Sequence, residues 1–408
     1  MGYIQQTIKG ISWTGGFRIA SRGIAFLRIF ILARLLTPEQ FGLFAIASLV
    51  ITFLDVFTET GINIFLIQKT NDAHKFINAA WIISIIRGIC MMLLIIISAP
   101  LITLFFHTPD ILLLLLIASL VPFIKGFINP SVIFFQKDLY FHKEFSYRLT
   151  IFIIESFVTI VLALLTHHAI SLIGGLVIGA ISEVLLSFVL LHPKPSLIYE
   201  IEKIKAIVHH GKWVTFYGIC NFIAQEADTV IVGKLLGPGS LGIYQMGYKI
   251  ATLPVSEISD ATNRVIFPVY AKIAQDRDRL RRAFIKTLQV VVPTVLLLSI
   301  VLFLLPEWIY VFFLGKEWAP VTNIIKILVV YGAFRAITGI GTSVLLSLQR
   351  QRDVALVVFL RVLTVVLFII PFTVSFGLVG TVLAVLLSVV VEVPVMSYYV
   401  TRILIQKK

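Results

Sequence analysis

Nineteen ionisable side chains fall inside stretches of this chain that are otherwise apolar. Ten are bases: Arg18, Arg22, Arg28, Arg87, Lys125, Lys249, Arg264, Lys326, Arg335 and Arg361. Nine are acids: Asp55, Glu59, Glu155, Glu183, Glu226, Asp228, Glu257, Asp260 and Glu392. Arginine offers a planar fork of N–H donors that fits phosphate and stays charged when partly desolvated. Arg18, Arg22, Arg28, Arg87, Lys125, Lys249 and Arg264 therefore form a candidate set for binding an anionic group. A buried carboxylate can take up a proton or a sodium ion. Asp55, Glu59, Glu226, Asp228, Glu257 and Asp260 are the candidates for that role, with H+ or Na+ as the coupling ion. The interior balance is one positive charge, so some bases are neutralised by nearby acids, and the sequence leaves the pairing open.

Spacing assigns some of these groups to shared faces. Arg18 and Arg22 are four residues apart, as are Asp55 and Glu59, so each pair shares a helix face. Glu257, Asp260 and Arg264 form one stripe, in which Asp260 and Arg264 can equally pair within the helix. Glu226 and Asp228 are two apart and point to different sides. Other chemistries lack their residues. There is no G-x-x-x-x-G-K-[ST] run for a nucleotide phosphate. The eight histidines lie in loops or at helix ends without metal-ligand or triad spacing. Cys90 and Cys220 are isolated and sit in apolar stretches, which suits packing rather than a disulfide framework. The chain reads as a non-enzyme without a resident cofactor or metal.

The elements that must carry these groups are membrane helices. Of 408 residues, 59% are hydrophobic and 13% charged, and mean hydropathy is +1.00. A soluble domain carries roughly 25% charged residues. About 20 apolar residues span the hydrocarbon as a helix. Twelve such stretches are expected, near 11–33, 41–66, 78–101, 111–133, 149–166, 169–191, 213–236, 241–267, 287–306, 321–346, 354–374 and 377–400. Their apolar runs are continuous and do not alternate, against a β-barrel. The bases within 11–33 set it apart from a cleavable signal, so the first helix is expected to stay. A charge at the bilayer centre costs roughly 2.5–3.5 kcal/mol, so nineteen facing lipid would cost on the order of 50. Most must line an aqueous cavity, pair with one another or reach an interface.

The net charge of +13 follows topology rather than a nucleic-acid surface. With a cytoplasmic N-terminus, the inner segments hold 21 of the 34 Lys and Arg and the outer loops hold Arg34, Lys234 and Lys316. That bias places both termini in the cytoplasm.

Residues 31–44, ILARLLTPEQFGLF, return as IVGKLLGPGSLGIY at 231–244, an offset of 200 without a gap. The repeat extends back to Trp13 and Trp213. Six helices per copy make the repeat parallel, with a pseudo-two-fold axis along the membrane normal. Substrate would then bind between lobes that rock to alternate access. The expected organisation is an N-terminal six-helix lobe at 1–191, a cytoplasmic amphipathic linker at 192–212 and a C-terminal six-helix lobe at 213–408. Pro38 and Pro238, followed by Gly42 and Gly242, read as paired outer turns. In the linker, Ile201, Ile204, Ile207 and Val208 recur at helical spacing, as in a short surface helix. Arg277, Arg279, Arg281 and Arg282 read as an anchor against anionic headgroups. Gln136-Lys137 in FFQKDLYFHKEF and Gln349-Arg350 in LSLQRQRDV mark matching inner boundaries.

The chain resembles the polysaccharide transporter family of the multidrug, oligosaccharidyl-lipid and polysaccharide exporter superfamily. The likeness is carried by GISWTGGFRIASRGIAFLRIFILARLLTPEQFGLFAIA, FFQKDLYFHKEF, DTVIVGKLLGPGSLGIYQMGYKIATLPV and RVIFPVYAKI, and covers essentially the whole chain. It implies an all-α polytopic membrane protein of about twelve transmembrane helices, in two parallel six-helix lobes around a central V-shaped cavity. It implies translocation of polyprenyl-pyrophosphate-linked oligosaccharides across the cytoplasmic membrane for surface polysaccharide synthesis. By resemblance Arg18 and Arg22 are pyrophosphate candidates, faced by Lys249 and Arg264. The expected partners are the lipid-linked oligosaccharide, membrane lipids and polysaccharide assembly enzymes, but not nucleic acid, and the expected state is a monomer. Two other readings stand beside it: a cation-coupled multidrug exporter, which ten intramembrane bases disfavour, and a non-transporting scaffold for glycosyltransferases.

Overall fold

The computed structural model describes residues 21, 23–59, 61–68, 73–138 and 140–405. Every described residue is in a helix or a connecting segment, and no strand occurs among them. Packing divides the chain into two compact units, Met1–Glu226 and Ala227–Lys408. Unit 1 contains α1 (23–35), α2 (Pro38–Phe57), α3 (Ile62–Gln68), α4 (Ile77–Phe106), α5 (Ile111–Ala118), α6 (Leu120–Lys125), α7 (Phe134–Lys137), α8 (Phe141–Thr166), α9 (Ile170–Leu190) and the start of α10 (Ile201–Ile273). Unit 2 contains the rest of α10, then α11 (Arg277–Leu304), α12 (Glu307–Leu314), α13 (Val321–Ser347) and α14 (Gln351–Ile405).

Seven described helices are long and apolar enough to cross a membrane, or eight if one bent pair counts as a span. Their outward faces show large apolar side chains to the surroundings, among them Leu104, Phe157 and Leu165. Continuous apolar exposure on this scale suits lipid rather than water. The protein is a multi-pass membrane protein, nearly all-helical over its described residues.

The duplicated turn breaks the helix in both copies, by two different devices. At the first, Thr37 is extended (φ −78, ψ 160) and caps α2. Its hydroxyl accepts from Gln40 N at 3.3 Å, and Gln40 Oε1 accepts from Thr37 N at 3.0 Å. This reciprocal pair is a capping box, with Pro38 placed where the missing N–H costs nothing. At the second, Gly237 interrupts α10 at φ 79, ψ 175, just before Pro238. Only glycine enters that region without steric penalty.

Two stretches expected to be continuous are not. The second, 41–66, ends at Phe57 and resumes as α3 after Gly61, whose φ is 64. The Glu59 carboxylate accepts from Gly61 N at 2.9 Å and fixes this break. The fourth, 111–133, is bent by 72° between Ile111–Lys125 and Pro130–Lys137. There Asn129 caps a 3-10 turn, Pro130–Ile133, and its side chain accepts from Ser131 N. Hydropathy counts apolar residues and does not see either turn. The reverse holds at the linker. α10 runs from Ile201 past the expected boundary at 213 without a break, because no proline lies between Ile201 and Trp213 to stop it. Near the C-terminus, the reversal expected between 374 and 377 falls at Gly377, bridged by the Thr373 and Thr381 hydroxyls 2.8 Å apart.

Close helix crossings in unit 1 depend on small residues. A Cβ on Gly88 of α4 would lie 2.7 Å from Pro122 O and 3.2 Å from Gly126 Cα. A Cβ on Gly175 of α9 would lie 1.8 Å from Thr159 Oγ1 of α8. Such contacts let backbones approach where lipid supplies no hydrophobic drive between helices.

Candidate functional site: a mixed-charge cavity in unit 1

The break after α2, the α4–α6 crossing and the bend before α7 enclose a cavity of about 370 Å³. Asp55 reaches it from the last turn of α2 and Glu59 from the break itself. Arg87 and Ser84 come from α4, and Lys125 from the end of α6. Asn129 and Gln136 line it from the bend, Arg148 from α8 and Glu183 from α9. Three bases and three acids thus meet in one pocket of an apolar unit. Such groups avoid lipid by facing a water-filled space or one another.

Arg87 organises the α2 side. Its Nη2 donates to Asp55 Oδ1 at 2.9 Å and to Asp55 O at 2.7 Å, and its Nε donates to Thr58 Oγ1 at 3.0 Å. On the opposite side Glu144 accepts from Gln136 Nε2 and from Arg148 Nε, each at 2.8 Å. The floor is rigid. Asn129 N donates to Ser187 Oγ at 3.1 Å, while Asn129 Nδ2 and Ser131 Oγ donate to Pro193 O at 3.2 and 2.8 Å. Asn129 and Ser131 are fully buried. Trp81 Nε1 donates to Phe127 O at 3.1 Å and fixes the bend to α4. Lys125 stands apart: it is exposed toward the pocket, and its Nζ makes no hydrogen bond or ion pair among the described residues. A lysine ammonium with three open donors can meet an anionic or hydroxyl-rich group from solution.

Of the residues singled out by sequence, Asp55, Glu59, Arg87 and Lys125 come together here. Asp55 and Glu59 do so from either side of a helix end rather than from one helix face. Arg28 is engaged elsewhere, donating from Nη1 to Glu155 Oε1 at 2.7 Å. Asp228 accepts from Tyr244 Oη and from Thr229 N in unit 2. Glu226, Lys249 and Glu257 lie along α10, outside the lining of this cavity. Arg18 and Arg22 lie outside the described residues, as do the side chains of Asp260 and Arg264. Sequence reasoning left Glu183, Arg148, Asn63 and Asn129 out of the site. The FFQKDLYFHKEF segment was the available signal for one part of it, since its Glu144 accepts from both Gln136 and Arg148 at the wall.

A sequence profile described as "Polysaccharide biosynthesis protein" matches residues 31–323. An uncharacterized membrane protein in the cps region of Klebsiella pneumoniae is 27% identical over 409 residues, covering 97% of this chain and 82% of that protein. The lipopolysaccharide biosynthesis protein WzxC of Escherichia coli (strain K12) is 24% identical, covering 86% of this chain and 72% of its own length. Among solved structures, the lipid II flippase MurJ in an inward closed conformation superposes with a TM-score of 0.77 at 18% identity, over 96% of this chain and 87% of that one. That likeness shows a shared fold. With most of its length matched by the family profile, the chain belongs to the polysaccharide biosynthesis protein family.

Proposed function

We propose that this protein is a flippase that moves a polyprenyl-pyrophosphate-linked oligosaccharide across the cytoplasmic membrane for surface polysaccharide synthesis. The observation that carries the reading is the gathering of Asp55, Glu59, Arg87, Lys125, Arg148 and Glu183 around one cavity within a membrane-embedded unit. Membership of a polysaccharide biosynthesis family supports the substrate class, and the MurJ-like fold supports lipid translocation. In this reading twelve crossings form two six-helix lobes that alternate access, with both termini in the cytoplasm. The cavity then opens near the inner leaflet, because α2 descends toward the cytoplasm and α4 starts from it. Lys125 meets anionic or hydroxyl groups of the arriving headgroup, and Asp55 and Glu59 are the nearest carboxylates for H+ or Na+ coupling. Asp228, Glu226, Glu257 and Asp260 are the corresponding acids of α10. The protein works as a monomer alongside the enzymes that assemble the polymer.

The test deletes the gene in a strain without a redundant flippase and measures lipid-linked oligosaccharide in each leaflet, using a glycosidase confined to the outer face. Inner-leaflet accumulation with loss of surface polymer, both reversed by the intact gene, is the expected result. An unchanged leaflet distribution with normal polymer would overturn the proposal.

A further inference from the structure

Unit 2 holds a second charge cluster that the cavity of unit 1 does not involve. Glu392 on the returning half of α14 is buried to 1%. Its carboxylate is shared by two guanidinium groups: Arg335 Nη1 of α13 lies 3.4 Å from Glu392 Oε1, and Arg361 Nη1 of the outgoing half of α14 lies 3.7 Å from Oε2. One carboxylate can satisfy one arginine through a two-pronged contact. Here two arginines share it end-on, and the three groups carry one surplus positive charge.

Arg335 is the more exposed of the two guanidinium groups. Arg361 has a side chain only 14% exposed, whereas that of Arg335 is 39% exposed. Every hydrogen bond of its guanidinium comes from Nη1, so Nε and Nη2 have no protein acceptor among the described residues. α13 is nevertheless the most enclosed of the candidate spans, 56% buried against at most 33% for any other. Arg335 is the fifteenth of its 27 residues, about 21 Å along the helix and near the middle of a bilayer. A guanidinium edge facing lipid there would be strongly unfavourable. In the flippase reading its exposed part faces the aqueous path.

Hydroxyl donors stand beside it. Tyr331 lies one turn earlier on α13, and its hydroxyl meets that of Tyr248 at 3.5 Å. Tyr248 lies within electrostatic reach of Arg335, and both tyrosines lie within reach of Arg361. A guanidinium fork with Nε and Nη2 open, near a tyrosine pair whose mutual bond leaves one phenolic proton to donate, is a donor set that recognises a phosphate-type oxyanion.

We propose that Arg335, held by Glu392 and flanked by Tyr331 and Tyr248, is a second anion subsite that takes a phosphate oxyanion of the transported lipid at mid-membrane depth. This rests on the flippase reading. Glu392 positions Arg335, and the fork left open by that arrangement binds the ligand.

The test uses the full chain in detergent micelles, with geranylgeranyl pyrophosphate as the probe and phosphatidylglycerol as the competitor. Arg335→Gln is expected to weaken probe binding about tenfold, the loss of one charge-assisted contact. Arg335→Lys should recover part of it, and the thermal midpoint reports whether each variant is folded. If Arg335→Gln does not fold, the double variant Tyr331→Phe, Tyr248→Phe is the substitute, with an expected weakening of several-fold. An unchanged Kd in a folded variant, with wild-type protein binding the probe, overturns the subsite and leaves the flippase reading standing. No binding by wild-type protein overturns both. Displacement of the probe by an equal concentration of phosphatidylglycerol assigns the site to a bulk membrane lipid and also overturns the proposal.

Discussion

Arg87 holds Asp55 at two points, the side-chain carboxylate at 2.9 Å and the main-chain carbonyl at 2.7 Å. The second contact, with the bond to Thr58 Oγ1, means that Arg87 ends α2 as well as balancing a charge. A cation at a helix C-terminus meets carbonyls that lack partners and the negative end of the dipole. The Asp55 carboxylate is 53% exposed, so the ion pair itself is screened and contributes little. Asp55→Asn should therefore change stability by less than about 1 kcal/mol, whereas Arg87→Ala should cost about 2–3 kcal/mol through its several charge-assisted bonds. Unfolding in detergent micelles measures both. Equal losses would show that Arg87 serves the carboxylate rather than the helix end.

Glycines that look alike in sequence should differ in tolerance. At Gly88 a new Cβ would meet backbone, Pro122 O at 2.7 Å, and that backbone carries the wall of the cavity. At Gly174 the near atom is Leu162 Cδ1, also at 2.7 Å, the end of a flexible side chain. Gly88→Ala should lower stability by about 1–3 kcal/mol, the usual range for forced backbone shifts, and should disturb the cavity. Gly174→Ala should cost well under about 1 kcal/mol, since a rotamer change relieves it. Thermal midpoints of the two purified variants decide the matter, and a larger loss at Gly174 would contradict the ranking.

The two copies of the duplicated turn also make opposite demands. Thr37→Ala loses the capping hydroxyl and should cost about 1 kcal/mol, while Thr37→Gly should cost only a few tenths. Gly237→Ala meets no atom within 4 Å, so its cost isolates backbone strain at φ 79, ψ 175, about 1–3 kcal/mol. Gly237→Thr should be no better, even though it restores the residue of the first copy. A Gly237→Thr variant as stable as wild type would mean that the second turn can adopt the first turn's geometry.

Much of the fold was readable because hydropathy and charge report the solvent of each face directly. The long apolar runs, the boundary at Pro38 and the all-helical class follow from that. The breaks at Gly61 and Asn129 were not readable, since each depends on a φ value or a side-chain cap inside an apolar run. Those breaks shape the cavity, so the pairing of Asp55 with Glu59 on one helix face was the wrong geometry for residues that do share a site. Arg28 shows the other limit. Its type suggested an anion, but the partner that occupies it, Glu155, is 127 residues away, and no local spacing reveals that.

The Arg28–Glu155 pair gives the sharpest separation of structural from transport roles. The two side chains are 14% and 19% exposed and 2.7 Å apart, and Glu155 packs over Gly179, whose Cβ would lie 3.1 Å from Glu155 Cγ. The pair thus ties α1 to the α8–α9 crossing. Removing one partner leaves a nearly buried charge without compensation, so Glu155→Gln should cost about 3 kcal/mol. Replacing both by apolar groups of similar volume removes that penalty, and Arg28→Met with Glu155→Leu should return to within about 1 kcal/mol of wild type. The expected result for that double variant is normal surface polymer at normal protein level, because the guanidinium is consumed by Glu155. Loss of polymer in a double variant that melts like wild type would instead place Arg28 on the substrate path, with Glu155 as the group it leaves during transport.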